Sequence, residues 1–368
     1  MKKLSYLILL LFLSTVLPAQ NFFREKFDNG KKYILLANPT AGNIETINFL
    51  VNQGLLKVDL RKVHFVGVYF EHQNYDFKKS KKYIHEQELT HFDLHEFRGD
   101  LSKNKLFANN SLTEELKYVF RNSAGIFFFG GPDIPPGVYN EKNSLSVVTD
   151  PERHYFETTF LFHLLGSFHN EKFTPFLQEN PDYFITGFCL GMQTMNVATG
   201  GTLIQDIPAE VYGAVTDKAT LETPKENLHR NYWQNISDDT QLMGINFHPI
   251  RFTTHPFFTK RVKAGKDSSP LVLSSHHQAA EKLGKGMLVT AVSSDGKIVE
   301  ALAHDTYPHV FAVQFHPEVP ALYENQEKRK FHPDDAPQTY HQIIGKKGLK
   351  FHKKYWKYIS KALKKAGK

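Results

Sequence analysis

Cys189 is the only cysteine in the 368-residue chain, and it stands in Gly187-Phe188-Cys189-Leu190-Gly191. An apolar run, Phe184-Ile185-Thr186, precedes it, and a segment with helical character, Met192 to Val197, follows. A nucleophilic residue between two glycines at such a junction is the pattern of a nucleophile elbow, where a sharp strand-to-helix turn lifts the reactive side chain out of a sheet. Glycine is needed on both sides because neighbouring side chains would collide in so tight a turn. The alternative is a buried thiol acting as a small hydrophobe. The flanking glycines, together with His316-Pro317-Glu318 far downstream, favour the elbow.

The elbow requires a sheet with helices, and the rest of the chain supplies both. Lys32 to Leu36 and Val63 to Phe70 read as strands, as does Ile126 to Phe129, which ends in Gly130-Gly131. Glu45 to Leu56, Leu112 to Val119 and Tyr155 to Leu165 carry helical periodicity, with Ser111 or Thr113 as a cap for the second. Asp76 to Gln87 is charged and reads as an exposed insertion or helix. Met287 to Thr290, Ile298 to Ala303 and Val310 to Phe315 form a late group of strands, with Ser294-Asp295-Gly296-Lys297 as a hairpin turn. Strands alternating with helices predict an α/β fold: a mainly parallel sheet with helices on both faces and a site at the strand C-termini.

Residues 1–20 read as an export signal: Lys2 and Lys3, an apolar run from Leu4 to Val16, then Pro18-Ala19-Gln20. The run is short for a membrane span, so a cleaved leader and an exported protein are expected. The residues from 21 to 325 then form one α/β domain, enlarged over 216–266, and 326–368 form a basic helical extension. One cysteine cannot close an intramolecular disulfide, so the thiol of an exported chain is either a liability or a reagent.

A thiol needs a base, and an imidazole needs an orienting carboxylate. His316 and Glu318 lie two apart at a strand end, so both side chains point to the same side. Pro317 keeps His316 extended. The proposed triad is Cys189, His316 and Glu318. An oxyanion hole would take one N–H from Leu190 and the other from Gly131, after the apolar strand.

With these blocks assembled, the chain resembles the class I glutamine amidotransferase-like proteins, specifically the peptidase C26 branch of gamma-glutamyl hydrolases and gamma-glutamyl-gamma-aminobutyrate hydrolases. The resemblance rests on Gly130-Gly131-Pro132-Asp133, Asp150-Pro151-Glu152-Arg153, the elbow block running on through Asn196 to Ile207, Ser275-His276-His277-Gln278 and Gln314 to Glu318. It spans roughly residues 126 to 320. It implies a flavodoxin-like three-layer fold and hydrolysis of a small γ-glutamyl amide through a thioester on Cys189. It also implies that Asp133, Arg153, Gln193, His276 and His277 lie near the substrate. A glutaminase module that hands ammonia to a synthetase, and a non-catalytic binding protein on the same fold, are the rival readings.

No cofactor is expected. His85 and His91 are six apart, not the four of a zinc-protease helix, and no other histidine pair has a recognised ligand spacing. The enlarged region brings in His229, His248 and His255 and suggests a lid or a reshaped pocket. From Lys346 to Lys368 the tail has many lysines, while Leu349, Trp356, Ile359 and Leu363 share a helical face. Packing of that stripe on the domain is favoured over a weak contact with an anionic surface. Nucleic-acid binding is not expected, because no recognition motif is present.

Overall fold

Val63–Phe70 has no solvent-facing position: all eight residues are buried, as a strand covered on both faces requires. The computed structural model describes residues 21–25, 27–28, 30–265 and 268–366. The leader expected over 1–20 lies outside the described residues. Twelve strands are present among them: β1 Lys32–Ala37, β2 Val63–Phe70, β3 Phe92–Phe97, β4 Gly125–Phe128, β5 Phe184–Phe188, β6 Leu203–Ile204, β7 Asn246–Phe252, β8 Leu271–Ser274, β9 Ala279–Ala280, β10 Met287–Ser293, β11 Val299–His304 and β12 Val310–Val313.

Ten of them form one sheet in the order β3-β2-β1-β4-β5-β12-β11-β10-β7-β8, and β6 pairs with β9 separately. From β3 to β12 every neighbour is parallel; from β12 to β8 every neighbour is antiparallel. The parallel half brings the C-terminal ends of β4, β5 and β12 to one edge, with β5 between the other two. Gly130-Gly131, Cys189 and His316 each follow one of those strands.

Alternation along β1 divides the core. Tyr33, Leu35 and Ala37 point to the face covered by the helices Thr113–Arg121, Pro151–Leu165 and Leu190–Ala198. Ile34 and Leu36 point to the other face, covered by Ala41–Asn52 and the C-terminal helix. This is the three-layer α/β sandwich expected from the sequence.

The C-terminal helix, Tyr340–Lys365, starts in a capping box between Thr339 and Gln342 and breaks stride at Gly345, whose φ is 60°. Trp356, Ile359 and Leu363 are buried against the sheet, while Lys357, Lys361 and Lys364 on the outer face are exposed. The Trp356 indole N–H donates to the carbonyl of Pro317 at 3.0 Å. This packing sets the chain beyond residue 326 directly behind the His-Pro-Glu turn. The enlarged region is likewise part of the scaffold, because its residues 246–252 are β7, inside the sheet between β10 and β8.

Candidate active site

Cys189 has φ 51° and ψ −108° and immediately precedes the Leu190–Ala198 helix. A non-glycine residue in that region is strained by about 1–3 kcal/mol and persists only where its surroundings enforce it. Here they do. A Cβ on Gly187 would lie 2.5 Å from the carbonyl carbon of Gly191, and one on Gly191 would lie 2.5 Å from the oxygen of Phe128. Both glycines are therefore dictated by close backbone approach. The Cys189 N–H donates to Val313 O at 2.9 Å, which ties the turn to β12. The helix begins at Leu190, directly after the thiol-bearing residue. Cys189 is 6 % exposed, nearly closed off from solvent.

His316 leaves β12 with its N–H donating to Leu273 O at 2.9 Å. Its Nδ1–H donates to Glu318 Oε1 at 2.7 Å, which leaves Nε2 as the ring nitrogen without the hydrogen in the neutral imidazole. Burial by itself would lower the basicity of this ring. The Glu318 carboxylate and the sulfur of Cys189 outweigh it, and the imidazolium is held well above the usual histidine range. Tyr323 O–H and the Trp356 indole both donate to Pro317 O, so the turn between base and carboxylate is fixed from behind. His316 and Glu318 are thus paired, and a Cβ on Gly130 would come within 2.9 Å of the His316 ring and 3.7 Å of Cys189 Cβ, so both residues border the same glycine.

Gly131 faces the same crevice. Among the described residues no protein acceptor takes the N–H of Gly131 or of Leu190, the state in which two backbone donors can meet a developing oxyanion. Arg153 stands behind this loop. It is 4 % exposed, ion-paired with Glu157 at 2.8 Å, and donates to the carbonyls of Phe129 and Gly130 at 3.1 and 3.0 Å. The structure therefore corrects the expectation of direct substrate contact by Arg153, since a buried guanidinium engaged in this way holds the Gly-Gly loop in place instead.

The other expected substrate-side residues divide in the same manner. His277 bridges two carboxylates, Nδ1 to Asp206 at 2.9 Å and Nε2 to Asp133 at 3.0 Å. Burial opposes its charge, but the two hydrogen-bonded carboxylates prevail and raise its pKa to about 8. Asp133 and His277 are thus locked to each other at the crevice wall. Gln193 Nε2 donates to Gln278 O at 3.0 Å and lies 3.4 Å from Gln314 Oε1. His276, expected near the substrate, is corrected to the interior: its ring is buried and turned towards His229 and Glu300. Asp206, Gln205 and Ser146 were not singled out from the sequence, whereas Gln278 was expected near the substrate together with His276 and His277. Gln278 Nε2 donates to Ser146 Oγ and Gln205 O at 2.8 and 2.9 Å. Gln205 and Asp206 lie within the motif blocks, but isolated side chains carry no spacing signal of their own.

The fold and site define a class: a parallel-sheet α/β protein with a cysteine elbow facing a histidine on a neighbouring strand, of the class I glutamine amidotransferase-like superfamily. The peptidase C26 family model matches residues 106–318, and the chain belongs to that family. Over 211 residues it is 31 % identical to a glutamine amidotransferase-like protein of Rickettsia prowazekii, a match covering 53 % of this chain and 70 % of that protein. A glutamine amidotransferase-like protein of Lactococcus lactis is 28 % identical over 220 residues, 60 % of this chain and 76 % of its own. An anthranilate synthase beta subunit of rice, Oryza sativa, is 27 % identical over 229 residues, 62 % of this chain and 60 % of that protein.

Proposed function

We propose that this hydrolase-family chain cleaves γ-glutamyl amide bonds of small molecules through a thioester on Cys189. The observation that supports the reading is that Cys189 and His316 follow adjacent parallel strands, β5 and β12, with the 2.7 Å bond from His316 to Glu318. The Cys189 sulfur attacks the γ-carbonyl carbon, and the negative charge on the carbonyl oxygen falls towards the N–H groups of Gly131 and Leu190. His316, as imidazolium, gives its proton to the departing amine as the carbon–nitrogen bond breaks. The now neutral ring takes a proton from water, the hydroxide attacks the thioester, and the sulfur leaves as thiolate with the imidazolium restored. The Asp133–His277–Asp206 group, partly exposed, holds charges of both signs that suit a zwitterionic glutamyl group. The leader-like residues 1–20 support action outside the cytoplasm.

The test is a panel of γ-glutamyl amides and peptides assayed with the wild-type chain and with Cys189→Ala. Turnover by the first and its loss in a folded second is expected; equal turnover by both overturns the proposal. The relatives' names favour one second reading, glutamine hydrolysis with ammonia passed to a synthetase. Glutamine turnover that rises only when a synthetase is added would select it.

A further inference from the structure

Beside the crevice, four side chains from four separate stretches converge in the interior: His229 from a loop of the enlarged region, His248 from β7, His276 just after β8 and Glu300 from β11. Their ligand-type atoms all lie within 4.8 Å of one another. Glu300 Oε1 is 3.1 Å from His229 Nδ1, 3.7 Å from His248 Nε2 and 4.0 Å from His276 Nε2. Nitrogen and oxygen ligands at tetrahedral zinc distances sit about 3.3 Å apart. The three distances to Glu300 therefore lie within about 0.7 Å of that spacing, and the histidine pairs, all within 4.8 Å, need to close by no more than about 1.5 Å to share one ion.

Two further observations point to a cation. The facing atoms are orphans: His229 Nδ1 and Nε2, His248 Nε2, His276 Nε2 and both Glu300 oxygens are buried without a hydrogen-bond partner. Buried polar atoms are nearly always paired, and such a group around a single point is a large uncompensated cost. The tautomers are also set. His276 Nδ1 lies 2.8 Å from Gln278 O and His248 Nδ1 lies 3.3 Å from Pro249 O. A carbonyl can only accept, so each Nδ1 carries the hydrogen and each Nε2 turns a bare lone pair towards a carboxylate. That is how metal-binding imidazoles are oriented by outer hydrogen bonds. A proton on Glu300 would satisfy one of these lone pairs and leave the rest unpaired; a divalent ion satisfies all four groups.

We propose that His229, His248, His276 and Glu300 form a structural site for one divalent transition-metal ion, with Zn²⁺ the best match to three imidazoles and a carboxylate. Four protein ligands closed off from solvent are the mark of a structural rather than a catalytic zinc. The ion would pin the enlarged region to the strands that carry the active histidine. The backbone already joins them, with His276 N–H donating to His229 O at 3.2 Å and Gln314 N–H donating to Glu300 O at 2.8 Å. The proposal stands on these contacts alone and is independent of the γ-glutamyl reading.

The experiment uses the untagged chain, grown with zinc and measured by elemental mass spectrometry, alongside His229→Gln and Cys189→Ala. One zinc per chain in the wild type and in Cys189→Ala, lost in His229→Gln, supports the site. No zinc in the wild type, unchanged zinc in His229→Gln, or its loss in Cys189→Ala overturns it. Should His229→Gln fail to fold, Co²⁺ added to chelator-treated wild-type chain decides. Visible tetrahedral bands without a sulfur-to-cobalt transition, and a higher Tm, support the site. A sulfur transition, or no bands and no Tm shift, overturns it.

Discussion

Replacing Glu318 by Gln keeps the shape of the side chain and removes the charge that faces His316. The 2.7 Å separation between His316 Nδ1 and Glu318 Oε1 is that of a charge-assisted bond. Hydrogen bonds to charged groups contribute about 1.5–3 kcal/mol, so removing the carboxylate removes the main support of the imidazolium and lowers the pKa of the ring. Burial pulls the His316 ring down while Glu318 and Cys189 hold it well above 6.5; with the carboxylate gone, burial gains. Because the imidazolium must be present to protonate the leaving amine, activity is lost as pH rises through the pKa of this ring. The alkaline limb of kcat/KM against pH should therefore move to lower pH. The same sign holds for stability: the contribution of the ring is complete below about 6.5 and disappears as pH rises through its raised folded value. At the optimum kcat should fall by about 10²–10⁴, with KM little changed. The assay is hydrolysis of a chromogenic γ-glutamyl anilide across pH. An unmoved alkaline limb with activity within a few-fold of wild type would refute the pairing.

Gly131→Ala should lower kcat by about 10²–10³ while KM changes little, because the new Cβ would lie 2.1 Å from Arg153 Nη1 and 2.9 Å from Leu190 Cδ2. Arg153 is pinned by Glu157, so the loop must yield; steady-state kinetics on the folded variant checks this, and a near-wild-type kcat contradicts it. His277→Gln should lose its stability deficit at high pH. The raised pKa of about 8 against 6.5 corresponds to about 2 kcal/mol, present below the lower value and lost as pH climbs through the upper one. Urea melts of both proteins at acidic and alkaline pH should show the gap closing; a gap independent of pH would remove the Asp133–His277–Asp206 charge argument.

The parts of the fold that were legible are those where one physical demand dominates. Val63 to Phe70 must be buried on both faces, and its observed limits match the reading. The two glycines of the elbow are forced by contacts of 2.5 Å, which is why so short a motif located the nucleophile. Strands that mix demands were missed. Phe92–Phe97 carries Asp93, His95 and Glu96, and Asn246–Phe252 carries His248, Pro249 and Arg251, so neither reads as an apolar run. Helix starts were also obscured. The first long helix begins at Ala41, four residues before the periodic stretch, where Thr40 accepts from the Asn43 N–H. Neither Ser111 nor Thr113 caps the Thr113–Arg121 helix, because Thr113 Oγ1 is taken by the Asn110 N–H and the His163 ring. Arg153 and His276 could be placed near the crevice from motif position, but their direction depends on Glu157 and on the buried histidines, which sequence separation hides. The same holds for the four-residue cluster, whose members are brought together only by the sheet.

The most direct measurement of the central claim is the intact mass of the chain quenched during turnover of a γ-glutamyl amide, followed by peptide mapping. A transient mass gain of one glutamyl unit, confined to the peptide bearing Cys189, base-labile and missing from Cys189→Ala, is the predicted result. Turnover with no adduct on Cys189 under conditions where the leaving amine appears in a burst, or an adduct on another residue, would contradict it.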